Sequence, residues 1–234
     1  MNQIALLLSC EHGGNTIPAE YRPVFEAAGD VLRSHRGYDP GALGLARCLA
    51  LACGAPLECE TRSRLLIELN RSLESPQLFS EFSRQLPTPT RQELIEQIYL
   101  PYRERMEQHV KLLSDQHPVL HLSIHSFTPV MNGKTRRTDI GLLFDPAREF
   151  ESRVATAWRR VLRRCFPSLK IHFNLPYRGT SDGLTTTLRT RFPDGHYAGI
   201  ELEVNQKYPL GDAVIWGEIQ ETLVASVQQT IEIL

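Results

Sequence analysis

Two histidines, His12 and His125, each close an apolar run, Ile4 to Leu8 in one case and Val119 to Ile124 in the other. Neutral imidazole is the commonest side-chain ligand for zinc. A lone histidine at a strand end ordinarily serves a structural hydrogen bond, so the weight falls on the pair and on a carboxylate to complete it. A catalytic zinc takes three protein ligands and keeps one position open. Two carboxylates compete for the third place. Asp39, within His35-Arg36-Gly37-Tyr38-Asp39-Pro40-Gly41, also fits the N-cap of a helix starting at Pro40. Glu11 stands beside His12, and strand neighbours point to opposite faces. Asp39 is favoured, and Glu11 stays open. His121 would share a face with His125 on a helix; in a strand the two are about 13 Å apart. It is assigned to the core or to a place behind the ligands.

Ile200-Glu201-Leu202-Glu203-Val204-Asn205 alternates, with both glutamates on one face. Carboxylates inside an α/β domain need a partner, and water beside a metal suits a general base; a salt-bridged edge strand is the plain alternative. Asn70 and Arg71 follow the run Leu65 to Leu69. An arginine fork binds a carboxylate through two parallel hydrogen bonds, and the asparagine adds a donor, although Arg71 would also serve as an ion-pair partner for Glu68. Arg178 is a second anion-binding candidate, and Arg136 and Arg137 a third. No Gly-x-Ser-x-Gly elbow and no phosphate-binding glycine loop occurs. Cys10 falls where the first strand is still buried, a poor place for a nucleophile.

These residues need elements to carry them. Leu6-Leu7-Leu8-Ser9-Cys10-Glu11-His12-Gly13-Gly14-Asn15 reads as a core strand that breaks into a glycine turn, the place where α/β folds keep their chemistry. Further strands are expected over 55–59, 65–69, 119–124, 139–144, 169–173 and 197–204. Helices are expected from Asp39 to Gly54, from a Thr90-x-x-Glu93 capping box to about Ser114 with a kink at Pro101, over 147–165, and over 212–234. The segment 76–89 reads as a surface loop or flap, and 174–183 as a polar loop. The arginines of 147–165 are assigned to a solvated face. Alternating strands and helices predict an α/β fold, a single domain over 1–234, with a mixed, mostly parallel sheet covered on both faces.

The 234 residues suffice for one such domain with a sizeable core. A net charge of −1 offers no general attraction to nucleic acid or an anionic membrane, so a small-molecule partner is expected and the oligomeric state is left open. Five cysteines without a CxxC pair fit neither a disulfide framework nor a cysteine-rich zinc module. The first apolar run lacks a basic leader, and no run reaches transmembrane length. A cytoplasmic location is expected.

Taken in order, Cys10-Glu11-His12-Gly13-Gly14-Asn15, Tyr38-Asp39-Pro40-Gly41-Ala42, Ser63-Arg64-Leu65, Leu69-Asn70-Arg71, His125-Ser126-Phe127-Thr128-Pro129, Asp139-Ile140-Gly141, Asn174-Leu175-Pro176-Tyr177 and Glu201-Leu202-Glu203 resemble the N-formylglutamate amidohydrolase family across most of the chain. The resemblance implies a zinc-dependent hydrolase related in fold to zinc carboxypeptidases and aspartoacylases. It implies zinc on His12 and His125, a substrate carboxylate on Asn70 and Arg71, and Glu203 as the base that activates water. The family's metal-binding glutamate would fall on Asn15, a poor ligand, which directs attention to Asp39; Glu68 stands where an aspartate is expected. The expected reaction is hydrolysis of an N-acyl, for instance N-formyl, acidic amino acid, with zinc on His12, Asp39 and His125, and Arg178 assisting Asn70 and Arg71. A carboxypeptidase-like metallopeptidase and a non-catalytic carboxylate-binding domain are the alternatives.

Overall fold

The computed structural model describes residues 4–234. The first apolar run forms β1 (Ala5–Cys10), which lies between β2 (Leu57–Cys59) and β3 (Val119–Phe127). A short hairpin of β4 (Val130–Met131) and β5 (Lys134–Thr135) stands apart from the main sheet. The sheet continues through β8 (Tyr197–Asn205), β6 (Ile140–Leu143) and β7 (Ile171–Phe173). Its order is β2-β1-β3-β8-β6-β7. Among the described residues of this sheet only the β6–β8 pairing is antiparallel, so a single α/β domain is built on a mixed, mostly parallel sheet.

Among the described residues seven α-helices accompany it: α1 (Gly29–Arg33), α2 (Ala42–Cys53), α3 (Thr88–Leu94), α4 (Leu100–Ser114), α5 (Glu149–Cys165), α6 (Leu184–Arg191) and α7 (Ala213–Glu232). Strand alternation sorts the core into two layers. Leu6, Leu8, Leu122, Ile124, Ile200 and Leu202 meet α2, α5 and α7 on one face, and Leu7, Val119 and Tyr197 meet α4, α6 and the 65–69 segment on the other. That second face is the unusual one. Ser9, His121, Ser123, His125 and Glu203 are all buried there, and a column of polar side chains in a sheet interior costs free energy wherever a member lacks a partner.

Several local expectations give way to tertiary structure. Asp39 does not cap α2; the cap position is Gly41 at φ 82°, a left-handed conformation suited to glycine, which leaves the Asp39 carboxylate free. The run Leu65 to Leu69 is no strand but a buried series of turns, held by Leu66 N–H to Ser63 O and Glu68 N–H to Leu78 O. Thr90 starts no helix, because α3 begins two residues earlier with Pro89 in its first turn, where the missing N–H costs nothing. Pro101 is accommodated by a widened turn over Ile95–Tyr99 rather than a simple kink. Helix α6 was not expected from the polar sequence around it. At the other end of the chain, the helix expected over 212–234 is present, and Asp212 caps it, accepting from Val214 N at 2.8 Å and Ile215 N at 3.1 Å. Among the described residues no helix is long and apolar enough to cross a membrane.

Candidate metal centre

The turn after β1 packs so closely on the chain beyond β2 that a Cβ on Gly14 would collide with the Thr61 backbone. Gly13 N–H donates to Glu60 O, and Asp39 N–H donates to His12 O at 2.9 Å. Backbone bonding therefore ties the His12 turn to the Asp39 turn. His125 comes from inside β3, two residues before its end, rather than from beyond it.

These three side chains meet. His12 Nδ1 lies 3.3 Å from Asp39 Oδ2, and His125 Nδ1 lies 2.9 Å from the same oxygen. All three donor atoms fall within 4.8 Å of one another and all three residues are buried. Tetrahedral ligands on arms of about 2.1 Å stand about 3.4 Å apart, so the three residues could hold a metal ion.

The far nitrogens of both rings are already spoken for. His12 Nε2 donates to Glu68 Oε1 at 2.5 Å. His125 Nε2 lies 2.8 Å from Ser123 Oγ and 3.2 Å from Glu11 Oε2, and Ser123 in turn donates to Glu11 at 2.7 Å. Tyr102 O–H donates to the other Glu11 oxygen at 2.9 Å. With the ring protons drawn to Nε2, two Nδ1 lone pairs and a carboxylate oxygen converge, and only a proton or a cation between them relieves the repulsion. Burial works against charge on His125, but hydrogen bonds to Asp39 and Glu11 outweigh it and hold the ring's pKa well above its usual range. Burial would raise Asp39, yet the His12 charge and the bonds to both rings hold it far below the ordinary carboxylate value. The donor set fits zinc.

Arg64 braces this arrangement, with Nε donating to Glu68 Oε2 at 2.7 Å and Nη1 reaching Asp39 Oδ1 at 3.4 Å. Glu11 stands behind His125 and is not among the three converging donors. His121 is a core bridge between Ser9 Oγ and Tyr197 O–H, both at 2.8 Å, and burial lowers its pKa to about 4.

Glu203 is the direct register partner of His125 across β3 and β8 and lines the same cleft. Its Oε2 is buried without a hydrogen-bond partner. Burial, opposed by His125 and reinforced by Asp39 and Glu201, raises its pKa from 4.5 to about 8. Glu201 also lines the cleft and accepts from Thr185 Oγ1 at 2.9 Å.

Of the anion-binding candidates, Asn70, Arg71 and Arg178 line the cleft, and Arg136 and Arg137 do not. Asn70 Oδ1 accepts from Leu184 N–H at 2.7 Å, capping α6 from outside the helix and turning its amide nitrogen toward His125, 3.5 Å away. Arg71 Nη1 donates to Asn70 O and Asp182 O, and Nε to Gln77 Oε1. Arg178 is exposed at the mouth. Arg136 lies over the Tyr177 ring, 5.0 Å from its centroid, and donates to its hydroxyl. Sequence reasoning missed Arg64, Ser123 and Tyr102 as site partners and took Glu68 only as an ion-pair acid; the alternating polar residues His121, Ser123 and His125 were the available signal for Ser123.

Comparison with known proteins supplies the family. The profile described as N-formylglutamate amidohydrolase matches residues 4–208. Gene product Atu2144 from Agrobacterium tumefaciens superposes with a TM-score of 0.78 at 30% identity, covering 96% of this chain and 90% of that one. Two distant structures are N-acetylmuramoyl-L-alanine amidase AmiC2 of Nostoc punctiforme (10% identity, TM-score 0.38, 97% of each chain) and a metallo-carboxypeptidase from Burkholderia cenocepacia (10% identity, TM-score 0.40, 99% of this chain and 58% of that one). No match was found among curated proteins. With the family profile spanning most of its length, the chain belongs to the N-formylglutamate amidohydrolase family.

Proposed function

We propose that this chain is a zinc-dependent amidohydrolase that cleaves the N-acyl amide of an acidic amino acid, N-formylglutamate being the first candidate. The observation that carries the reading is a buried His12, Asp39 and His125 donor set facing Glu203, a carboxylate with an unpartnered oxygen. When bound, zinc supplies Lewis-acid polarisation of the amide carbonyl and lowers the pKa of water toward about 7. Glu203 removes the proton from the attacking water and returns it to the departing nitrogen, so the C–N bond breaks to a carboxylic acid and a free amine. Arg71 and the Asn70 amide nitrogen hold the substrate carboxylate, with Arg178 closing over it from the mouth. Glu68 and Glu11 keep each imidazole aimed with Nδ1 inward. The five cysteines are all free, which supports a reducing, cytosolic setting.

Dialysis against a chelator tests the reading. Hydrolysis of N-formylglutamate is expected to fall to background and to return on adding one equivalent of zinc. In a panel of N-acyl amino acids and peptides, the acidic N-formyl compounds should show the highest kcat/KM. Full activity after chelation would overturn the metal assignment, and a preference for peptides would make the chain a carboxypeptidase-like enzyme.

A further inference from the structure

Arg71, Ser181 and Asp182 line the metal cleft and also a second depression beyond it, walled by Ser75, Pro76 and Gln77. At residues they share, a bridge joins the Arg71 turn to the loop before α6. Ser72 N–H donates to both Asp182 carboxylate oxygens at 3.1 Å, and the Ser72 hydroxyl donates to one of them at 3.2 Å. Arg71 Nη1 donates to the Asp182 carbonyl at 2.9 Å. The loop is held from behind as well, where Thr186 Oγ1 donates to Ser181 O at 2.6 Å and Arg189 Nη1 donates to Gly179 O at 2.5 Å. Asp182, one end of the bridge, lines both depressions, and Ser72, the other end, lines the second.

We propose that the Ser72–Asp182 bridge is the specificity-determining wall of the cleft, admitting N-acyl amino acids whose own α-carboxylate is free and excluding N-acyl peptides, in which that carboxylate is tied up in an amide. The inference rests on the amidohydrolase reading and on Arg71 facing the substrate carboxylate. Arg71 Nη1 and Nε are committed within the chain, so Nη2 is the group left to meet a ligand. A carboxylate there gains a charge-assisted bond. A peptide in its place loses that charge, and its next residue must pass through the space the bridge fills to reach Ser75, Pro76 and Gln77.

The test compares kcat/KM for N-formylglutamate and N-formylglutamyl-alanine in the wild type, Asp182→Ala and Asp182→Asn. The wild type is expected to prefer the amino acid. Asp182→Ala should move the ratio about tenfold or more toward the dipeptide, and Asp182→Asn, which keeps an acceptor for Ser72, should move it less. Asp182 is exposed, so both variants should melt with the wild type. A wild type that takes both substrates equally well, or an Asp182→Ala enzyme that melts normally with an unchanged ratio, overturns the proposal while leaving the amidohydrolase reading intact. A wild type that hydrolyses neither compound overturns that reading and this proposal with it.

Discussion

Exchange of Glu203 for glutamine is expected to lower kcat for an N-acyl amino acid by about a thousandfold, within the range of general acid–base contributions, while the chain keeps its metal. Glutamine fills the same volume but cannot take a proton from water. The buried, unpartnered Oε2 beside the converging imidazoles is the reason for singling out this residue. The pH profile sharpens the expectation. The Glu203 pKa is raised to about 8 in the folded chain without a cation, and a cation held by its neighbours favours the carboxylate form, so the acid limb of kcat/KM should lie below pH 8 and vanish in the glutamine variant. Linkage runs in a definite direction. A carboxyl group with a raised folded pKa contributes no penalty below its ordinary 4.5 and an increasing one as pH climbs from 4.5 to about 8. The metal-stripped wild type should therefore lose stability relative to metal-stripped Glu203→Gln across that window, measurable by urea titration at pH 4.5 and pH 8.5. An unchanged kcat in the variant would remove Glu203 from the reaction.

Asp39→Ala should reduce bound zinc from near one per chain to near zero after dialysis and take activity to background. Asp39 supplies the one carboxylate among the three converging donors, and its Oδ2 meets Nδ1 of both rings, at 3.3 Å from His12 and 2.9 Å from His125. Its removal also strips Arg64 and His125 of a buried partner. Breaking a buried charged set by deleting one member costs about 3 kcal/mol or more, so the variant should also unfold at lower urea. Elemental analysis and denaturant titration check both halves. An Asp39→Ala chain that keeps stoichiometric zinc would shift the ligand role to another carboxylate.

How far the sequence could be read depended on where each residue's partners sit. Glu203 was legible because period-two alternation in β8 is local, and His125 because an imidazole in an apolar run is conspicuous. Asp39 was ambiguous because Asp-Pro-Gly is good helix-start chemistry; the structure assigns the start to Gly41 and sends the carboxylate to His12, 27 positions earlier in the chain. The misread strand at Leu65 to Leu69 has the same origin. Its apolar residues are buried as a strand's would be, but Glu68 is drawn to distant His12 and back onto Arg64 four residues earlier, and those bonds favour turns over pairing. Tyr102 lies on α4 and touches Glu11 across 91 positions, a contact that no periodicity announces. A mostly parallel sheet covered on both faces follows from the helix–strand rhythm; the strand order and the partners behind each imidazole follow only from the packed core.

Crystals of the chain grown with zinc and measured at the zinc absorption edge put the central claim to its most direct test. The account predicts one strong anomalous peak per chain, between Nδ1 of His12, Nδ1 of His125 and Oδ2 of Asp39 and on the side that faces Glu203. A peak elsewhere, or none at these three atoms in a preparation that is fully active, would contradict it.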